Sequence, residues 1–216
     1  MDRVTRSPRA LPDRVVIFDY GEVISVTPTP ADRAVIADLA GVRGTGEARF
    51  WDSYFARRGP LDRGTNGGVR GYWRAIASDI GARWDDARVH ELWAADFRSW
   101  LSINPGTIEI ISDLAAGGTR LALLSNAGPD FGSYMRHGPL RDYFEAFFVS
   151  GELGLIKPEP AIYSRALSDL GVAASAAVFV DDREDNIRGA TDLGITGHVF
   201  TTPARLRSFL ESLAPR

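Results

Sequence analysis

The 216-residue chain contains no cysteine, three histidines and a single lysine. The absence of cysteine excludes disulfide bonds, thiolate metal sites and a cysteine nucleophile. The histidines, His90, His137 and His198, have neither the spacing of a zinc site nor that of a catalytic triad. No apolar run is long enough to cross a bilayer, and the first residues lack the apolar core of a signal peptide. We therefore expect a cytoplasmic protein without a membrane partner.

The composition is typical of a globular protein, with 44% hydrophobic and 25% charged residues. The net charge is -3 and both signs are mixed along the chain, so we expect no nucleic-acid partner. The length suits one α/β domain with an inserted module, or two small domains. Composition does not indicate an oligomeric state.

Short apolar runs rich in β-branched residues alternate with segments of helical periodicity. The predicted strands are residues 15–18, 120–124, 146–149, 177–180 and 198–200. The predicted helices between the later strands are residues 107–116, 161–170 and 186–193. This alternation predicts an α/β fold, in which a parallel sheet is covered by helices on both faces.

The segment 28–103 has a different character, because it holds all five tryptophans and its periodicity is helical throughout. Its predicted helices are residues 31–39, 49–56, 71–80 and 87–100. We predict an all-helical insert after the first strand, with residues 1–27 and 104–216 forming the core domain. The tryptophans are expected to fill the core of this insert. The glycine-rich stretch 64–71 has no preceding strand and no P-loop lysine, which favours a flexible connection over a phosphate-binding loop.

Polar residues follow the predicted strands at the edge of the sheet where ligands bind in such folds. They are Asp19, Ser125 with Asn126, and Asp181 with Asp182, to which the loop residue Lys157 is added. The set provides a nucleophilic carboxylate, anion-binding groups, a cation and a carboxylate pair suited to a hard metal ion. A lysine in a chain otherwise rich in arginine also suggests a position that needs a compact ammonium.

With these residues in this order, the chain resembles the haloacid dehalogenase-like hydrolase superfamily. The four family motifs correspond to residues 15–24, 123–126, 157–158 and 178–187. The resemblance is strongest to the branch that contains glucose-1-phosphate phosphatase and the phosphatase domain of soluble epoxide hydrolase. It implies a three-layer Rossmann-like core, with the insert as a helical type-one cap. It also implies a Mg2+-dependent phosphatase that hydrolyses a small phosphorylated metabolite, with sugar phosphates among the candidates.

The resemblance implies a role for each motif residue. Asp19 would be the nucleophile that forms an aspartyl-phosphate, and Mg2+ would bind to Asp19, Asp182 and the carbonyl of Gly21. Ser125 and the N–H of Asn126 would hold the phosphoryl oxygens, while Lys157 would neutralise their charge. Asp181 would orient Lys157 or a metal-bound water. In the cap, the candidates for contact with the substrate are Arg57, Asp62, Arg63, Tyr72 and Trp93.

One position departs from the family pattern, because Gly21 stands where family phosphatases carry an aspartate as general acid and base. Loss of that acid favours substrates with an acidic leaving group, unless another residue replaces it. Glu22 is the nearest candidate in sequence. Two alternatives stay open at this point. They are a metal-independent 2-haloacid dehalogenase, and an idle member of the fold that binds a phosphorylated ligand or a protein partner.

Overall fold

The computed structural model of the chain describes residues 10–65 and 67–214, without the side chain of Thr45. Five strands form one parallel sheet in the order β3-β2-β1-β4-β5. The strands are β1 (Val15–Phe18), β2 (Arg120–Ser125), β3 (Ala146–Val149), β4 (Ala177–Asp181) and β5 (Thr196–Val199). This confirms the predicted α/β class.

The central strand β1 is buried along its whole length, as expected for a parallel sheet that is covered on both faces. Val16 and Phe18 belong to one hydrophobic cluster, and Val15 and Ile17 belong to the cluster on the opposite face. The first cluster is covered by α6 (Pro105–Ala116), α7 (Pro129–His137) and α11 (Pro203–Leu213). The second is covered by α9 (Pro160–Leu170) and α10 (Glu184–Thr191). The core thus has three layers.

Strand register brings the candidate residues to one edge of the sheet. Phe18 of β1 pairs with Leu123 of β2 on one side and with Val180 of β4 on the other. Asp19 directly follows β1, and its N–H donates to the carbonyl of Val180 at 2.9 Å. The last residues of β2 and β4, Ser125 and Asp181, therefore lie beside Asp19.

Five helices precede α6, and we call them the cap helices. They are α1 (Pro30–Ala40), α2 (Thr45–Ala56), α3 (Arg58–Asp62), α4 (Gly68–Ile80) and α5 (Asp86–Ser99). They enclose a third hydrophobic cluster, whose fully buried side chains include Phe50, Trp73 and Leu92. The division at residues 28 and 103 into a core domain and a cap domain stays a prediction.

The two chain segments that lead into and out of the cap helices run antiparallel to each other. Ser25 and Ile103 form an isolated bridge. The N–H of Val26 donates to Ser102 at 2.8 Å, and that of Asn104 donates to Ile24 at 2.8 Å. The side chain of Asn104 then caps α6, and Pro105 occupies its first turn. The chain thus enters and leaves the cap helices through two segments that are paired with each other.

Several predicted elements need correction. The fifth strand spans Thr196–Val199 and not residues 198–200, because this edge strand is only partly buried and lacks a continuous apolar run. The sequence prediction omitted α7, α11 and the short α3, together with α8 (Ser150–Leu153) and two 3-10 turns (Arg141–Tyr143 and Ala174–Ala176). The stretch 64–71 is only partly a loop, since α4 begins at Gly68. Asn66 in that stretch lies outside the described residues.

None of the helices in the described residues combines the length and the apolar character needed to cross a membrane. The cytoplasmic location stays a prediction.

Candidate active site

Lys157 occupies the centre of the candidate site. Its Nζ atom lies 2.9 Å from Asp19 Oδ1 and 2.7 Å from Asp181 Oδ2, and it donates to the carbonyl oxygen of Leu124 at 3.0 Å. The residue is only 4% exposed. Burial lowers the pKa of Lys157, but Asp19 and Asp181 more than offset this and hold the pKa above its ordinary value. One ammonium therefore connects the ends of β1, β2 and β4.

The side chain of Asn126 positions the backbone of Lys157. Asn126 Oδ1 accepts from the N–H of Lys157 at 2.9 Å, and Asn126 Nδ2 donates to the carbonyl of Lys157 at 3.0 Å. The sequence placed Asn126 among the substrate-binding groups through its backbone N–H, and the residue does line the cavity described below. Its side chain is occupied by the loop that carries Lys157.

Asp181 is fixed by several donors, whereas one oxygen of Asp19 is unengaged. Asp181 accepts from Asn186 Nδ2 at 2.9 and 3.1 Å and from the N–H of Arg183 at 2.9 Å. Asp19 Oδ1 accepts from the N–H of Tyr20 at 2.7 Å in addition to its contact with Lys157. Asp19 Oδ2 accepts no hydrogen bond within residues 10–65 and 67–214. A nucleophile requires a free oxygen of this kind.

Three carboxylates at this edge could hold a metal ion. Asp19, Asp181 and Asp182 each present an oxygen, and these atoms lie within 4.8 Å of one another. Burial, together with Asp181 and Asp182, raises the pKa of Asp19, and Lys157 opposes this increase. Burial, Asp181 and Glu22 raise the pKa of Asp182 to about 6. The negative charge thus exceeds what one ammonium compensates, and the hard oxygen donors fit Mg2+.

The site opens into a cavity of about 420 Å³ between the sheet edge and the cap helices. Asp19, Gly21, Ser125, Lys157 and Asp182 line its floor. Aromatic rings form much of the remaining wall, namely Tyr20, Trp51, Tyr54, Phe55, Trp73, Trp93, Phe97, Trp100 and Phe131. The sequence analysis expected the tryptophans to fill the core of the insert. Trp84 and the fully buried Trp73 do pack there, but four of the five tryptophans also face the cavity.

Only two of the five candidate cap residues line this cavity, Asp62 and Trp93. Arg57 forms an ion pair with Asp79 at 2.7 Å, and Arg63 pairs with Glu159 at 3.0 Å. Tyr72 is fully buried and donates to the carbonyl of Tyr54 at 2.9 Å. These three residues serve the packing of the cap helices and their contact with the sheet.

Sequence reasoning missed a charged group in the cavity wall. Arg58 in the short α3 pairs with Asp96 of α5 at 2.9 Å, and the hydroxyl of Tyr54 also donates to Asp96. The guanidinium lies 5.2 Å from the centre of the Tyr54 ring. An arginine two residues after the end of a predicted helical stretch carries no distinguishing signal, because its partner is 38 residues away in the chain.

A sequence model of the haloacid dehalogenase-like hydrolases matches residues 14–194. The chain belongs to this family. A phosphoserine phosphatase from Thermus thermophilus is 33% identical over 112 residues, which are 50% of this chain and 45% of the relative. A drimenol cyclase from Aspergillus calidoustus is 27% identical over 190 residues, which are 87% of this chain and 34% of the relative. The chain thus spans between a third and a half of the length of these curated relatives.

Solved structures of the family share the fold. A HAD family enzyme from Bacteroides thetaiotaomicron, in complex with magnesium and inorganic phosphate, has a TM-score of 0.68 and 21% identity and covers 87% of this chain and 94% of its own. A 2-haloacid dehalogenase from Pseudomonas syringae has a TM-score of 0.62 and 23% identity, covering 93% and 99%. At this identity the likeness concerns the fold alone. It does not separate a phosphatase from a dehalogenase.

We predict that Lys157→Met destabilises the protein by about 3–5 kcal/mol at pH 7 in the presence of chelator, because buried carboxylates lose their cation. A carboxyl with a raised pKa in the folded state weakens the fold once it is charged. The loss should therefore shrink as the pH falls from 7 towards 5 and the orphaned carboxylates bind protons. Denaturant unfolding at several pH values measures this effect.

The matched control is Arg205→Met, which removes an exposed cation and should leave the free energy of unfolding almost unchanged. Equal stability of Lys157→Met and the parent at pH 7 would contradict the central role of the ammonium.

Proposed function

We propose that the protein is a Mg2+-dependent phosphatase that hydrolyses a small phosphate monoester through an aspartyl-phosphate on Asp19. One observation carries this proposal. A buried lysine lies between the carboxylate of Asp19, whose Oδ2 accepts no hydrogen bond, and the fixed carboxylate of Asp181, at the floor of a cavity that Ser125 also lines. The relative from Thermus thermophilus is named a phosphoserine phosphatase, and this also supports the proposal.

The first step is attack by Asp19 on the phosphorus atom. Ser125 and the N–H of Asn126 hold phosphoryl oxygens beside Lys157, whose ammonium offsets the repulsion between two anions at close range. Mg2+, held by Asp19, Asp182 and the carbonyl of Gly21, supplies further positive charge near these oxygens when it is bound. Asp19 Oδ2 forms the new bond to phosphorus, and the bond from phosphorus to the ester oxygen breaks.

The second step is hydrolysis of the aspartyl-phosphate. A water molecule attacks the phosphorus atom, inorganic phosphate leaves, and the carboxylate of Asp19 is restored. Asp181 keeps Lys157 in place through both steps, because its own oxygens are held by Asn186 and the N–H of Arg183. The chemistry of this site is therefore mainly positioning and charge stabilisation.

The cavity wall supports an alcohol with a sizeable apolar part. The lining of the cavity includes rings such as Trp51, Phe55 and Trp100, which favour burial of an apolar group. A sugar carries hydroxyl groups around its whole ring, and the polar side chains of a mostly apolar wall, such as Arg58 and Asp62, would have to serve them all. We therefore propose an apolar phosphate ester in preference to the sugar phosphate suggested by the sequence.

Two other activities are less well supported. A 2-haloacid dehalogenase also uses an aspartate nucleophile but needs no metal ion, so the carboxylate pair of Asp181 and Asp182 beside Asp19 would be unexplained in it. An idle member of the fold would not need the unengaged oxygen of Asp19 beside a buried lysine. Release of phosphate, release of halide or absence of both distinguishes the three activities.

We predict that Asp19→Asn abolishes release of phosphate from 4-nitrophenyl phosphate and leaves the fold intact, because the amide is isosteric but cannot form an acyl-phosphate. The measurement is steady-state phosphate release, with trapping of the phosphorylated protein in the parent. Asp52→Asn, which alters an exposed aspartate of α2, is the matched control and should retain parental activity. Turnover by Asp19→Asn above a trace would show that the nucleophile is another residue.

We predict that a chelator abolishes phosphate release and that Mg2+ restores it. Excess Ca2+ should inhibit, because it occupies oxygen ligands with longer bonds and a higher coordination number. Asp182→Asn should raise the Mg2+ concentration that gives half-maximal activity. Undiminished activity in chelator would overturn the metal requirement, and release of chloride from 2-chloropropionate under those conditions would support the dehalogenase.

We predict that kcat/KM rises with chain length across a series of alkyl phosphates, by up to about fourfold for each methylene buried at ~0.8 kcal/mol. Trp51→Ala should weaken this dependence of kcat/KM on chain length. Trp84→Phe, a change outside the cavity wall, should leave the dependence unchanged. A flat series in the parent, together with faster hydrolysis of glucose phosphates, would restore the sugar phosphate as the preferred substrate class.

A further inference from the structure

The ester oxygen that leaves in the first step needs a proton, and neither Gly21, at the position of the family's acid, nor Glu22 is well suited to supply it. Gly21 has no side chain. Glu22 adopts a left-handed backbone conformation with φ of 56°. Its carboxylate accepts from Thr27 Oγ1 at 2.6 Å and acts on Asp182. Glu22 is therefore turned towards the carboxylate cluster.

Three further aspartates line the cavity, and two of them are engaged. Asp96 is held by Arg58 and Tyr54, and Asp130 accepts from Trp93 Nε1 at 2.7 Å. The third is Asp62, the last residue of α3. Within the part of the chain that the structure describes, the carboxyl of Asp62 forms no hydrogen bond or ion pair. It is thus available to a ligand.

The backbone around Asp62 is fastened to the core beside the phosphate-binding residues. The carbonyl of Asp62 accepts from Ser150 Oγ, which in turn accepts from the N–H of Ala127 at 2.9 Å. Two residues later, Gly64 lies so close to Gly151 that a Cβ atom would stand 2.5 Å from its carbonyl oxygen. The ion pair between Arg63 and Glu159 adds a third connection, two residues beyond Lys157. Asp62 therefore has a fixed position over the site.

We propose that Asp62 is the general acid and base of this enzyme, taking the place of the carboxylate that Gly21 lacks. The inference rests on the proposed phosphatase function. In an in-line displacement the leaving oxygen lies on the side of the phosphorus opposite to the nucleophile. Asp19 forms the floor of the cavity, so the leaving oxygen faces the cap helices, where Asp62 lies.

Asp62 alone accounts for both proton transfers of the reaction. In the first step the protonated carboxyl gives its proton to the ester oxygen as the bond to phosphorus breaks, which releases a neutral alcohol. In the second step the carboxylate removes a proton from the attacking water as the bond between Asp19 and phosphorus breaks. Phosphate leaves, Asp62 is protonated again, and no further reactant is needed.

The surroundings of Asp62 favour a group that is protonated near neutral pH. Burial raises the pKa of Asp62 to about 7, aided by the negative charges of Asp96 and Asp130 and opposed by Arg58 and Lys157. These four residues are the charged groups that act on Asp62 from α3, α5, α7 and the Lys157 loop. A substrate phosphate adds negative charge and favours the protonated form further.

The decisive experiment compares leaving groups in the parent and in Asp62→Asn. For alkyl phosphates, whose alcohols are poor leaving groups, kcat/KM should fall by about a hundredfold to ten-thousandfold in the variant. For 4-nitrophenyl phosphate, whose leaving group departs without a proton, the fall should be less than about threefold. The plot of log kcat/KM against leaving-group pKa should therefore be shallow in the parent and steep in Asp62→Asn.

Two further readouts separate a proton donor from a residue that only shapes the cavity. In the parent, kcat/KM for an alkyl phosphate should fall as the pH rises through about 7, since the acid form is lost. This fall should be absent in Asp62→Asn. Gly21→Asp in the Asp62→Asn background should restore alkyl ester hydrolysis, because a Cβ at Gly21 meets nothing nearer than Trp100 at 3.8 Å.

The controls distinguish failure of this inference from failure of the proposed function. Asp52→Asn should behave as the parent with every substrate. A loss in Asp62→Asn that is equal for all leaving groups, or no loss, would overturn the role of Asp62 while the phosphatase function stands. If the plot of log kcat/KM against leaving-group pKa is steep in Glu22→Gln and shallow in Asp62→Asn, Glu22 and not Asp62 donates the proton. A parent that hydrolyses no phosphate ester would overturn both proposals.

Discussion

The architecture of the site depends on one buried ammonium. Lys157 can remain charged at 4% exposure only because Asp19, Asp181 and the carbonyl of Leu124 surround it. Those partners come from three different strands, so β1, β2 and β4 must be adjacent, parallel and in the observed register for the ion pairs to form. The hydrophobic strands establish that register by burial, and the ammonium then holds their polar ends together. The ion pairs of Lys157 and the burial of the hydrophobic strands thus require the same strand order and register.

The same cluster bears on the proposal that a phosphate and a metal ion bind together at the floor of the cavity. Lys157 contacts Asp19 and Asp181, and Asp182 lies beside these two carboxylates. Burial, and then repulsion between the neighbouring carboxylates, raises the pKa values of Asp19 and Asp182. A phosphate dianion alone would increase this repulsion. A hard cation at the oxygens of Asp19 and Asp182 reverses it, since it compensates the carboxylates and the phosphoryl group at once.

The sequence predicted the core well where burial alone determines the element. The predicted strands at residues 15–18 and 146–149 match the observed ones, because continuous apolar runs are typical of the buried strands of a parallel sheet. Positions at strand ends were predictable for the same reason, and these include Asp19, Ser125 and Asp181. The edge strand β5 was misplaced because it is only partly buried, and α3 was missed because five residues show no periodicity. The pairing of Arg58 with Asp96 depends on how the cap helices pack, which no local pattern encodes.

Placing the general acid on the cap helices has a consequence that a carboxylate at position 21 would not have. An acid two residues after the nucleophile belongs to the same turn and stays beside it in every arrangement of the protein. Asp62 lies 43 residues after Asp19 in the sequence. It reaches the site only while Ser150 and Glu159 hold the end of α3 against the core. Proton donation then requires the cap helices to cover the site, a state in which the aromatic wall also encloses the alcohol and excludes water. Recognition of the apolar group and protonation of the leaving oxygen would thus depend on the same contact between cap and sheet.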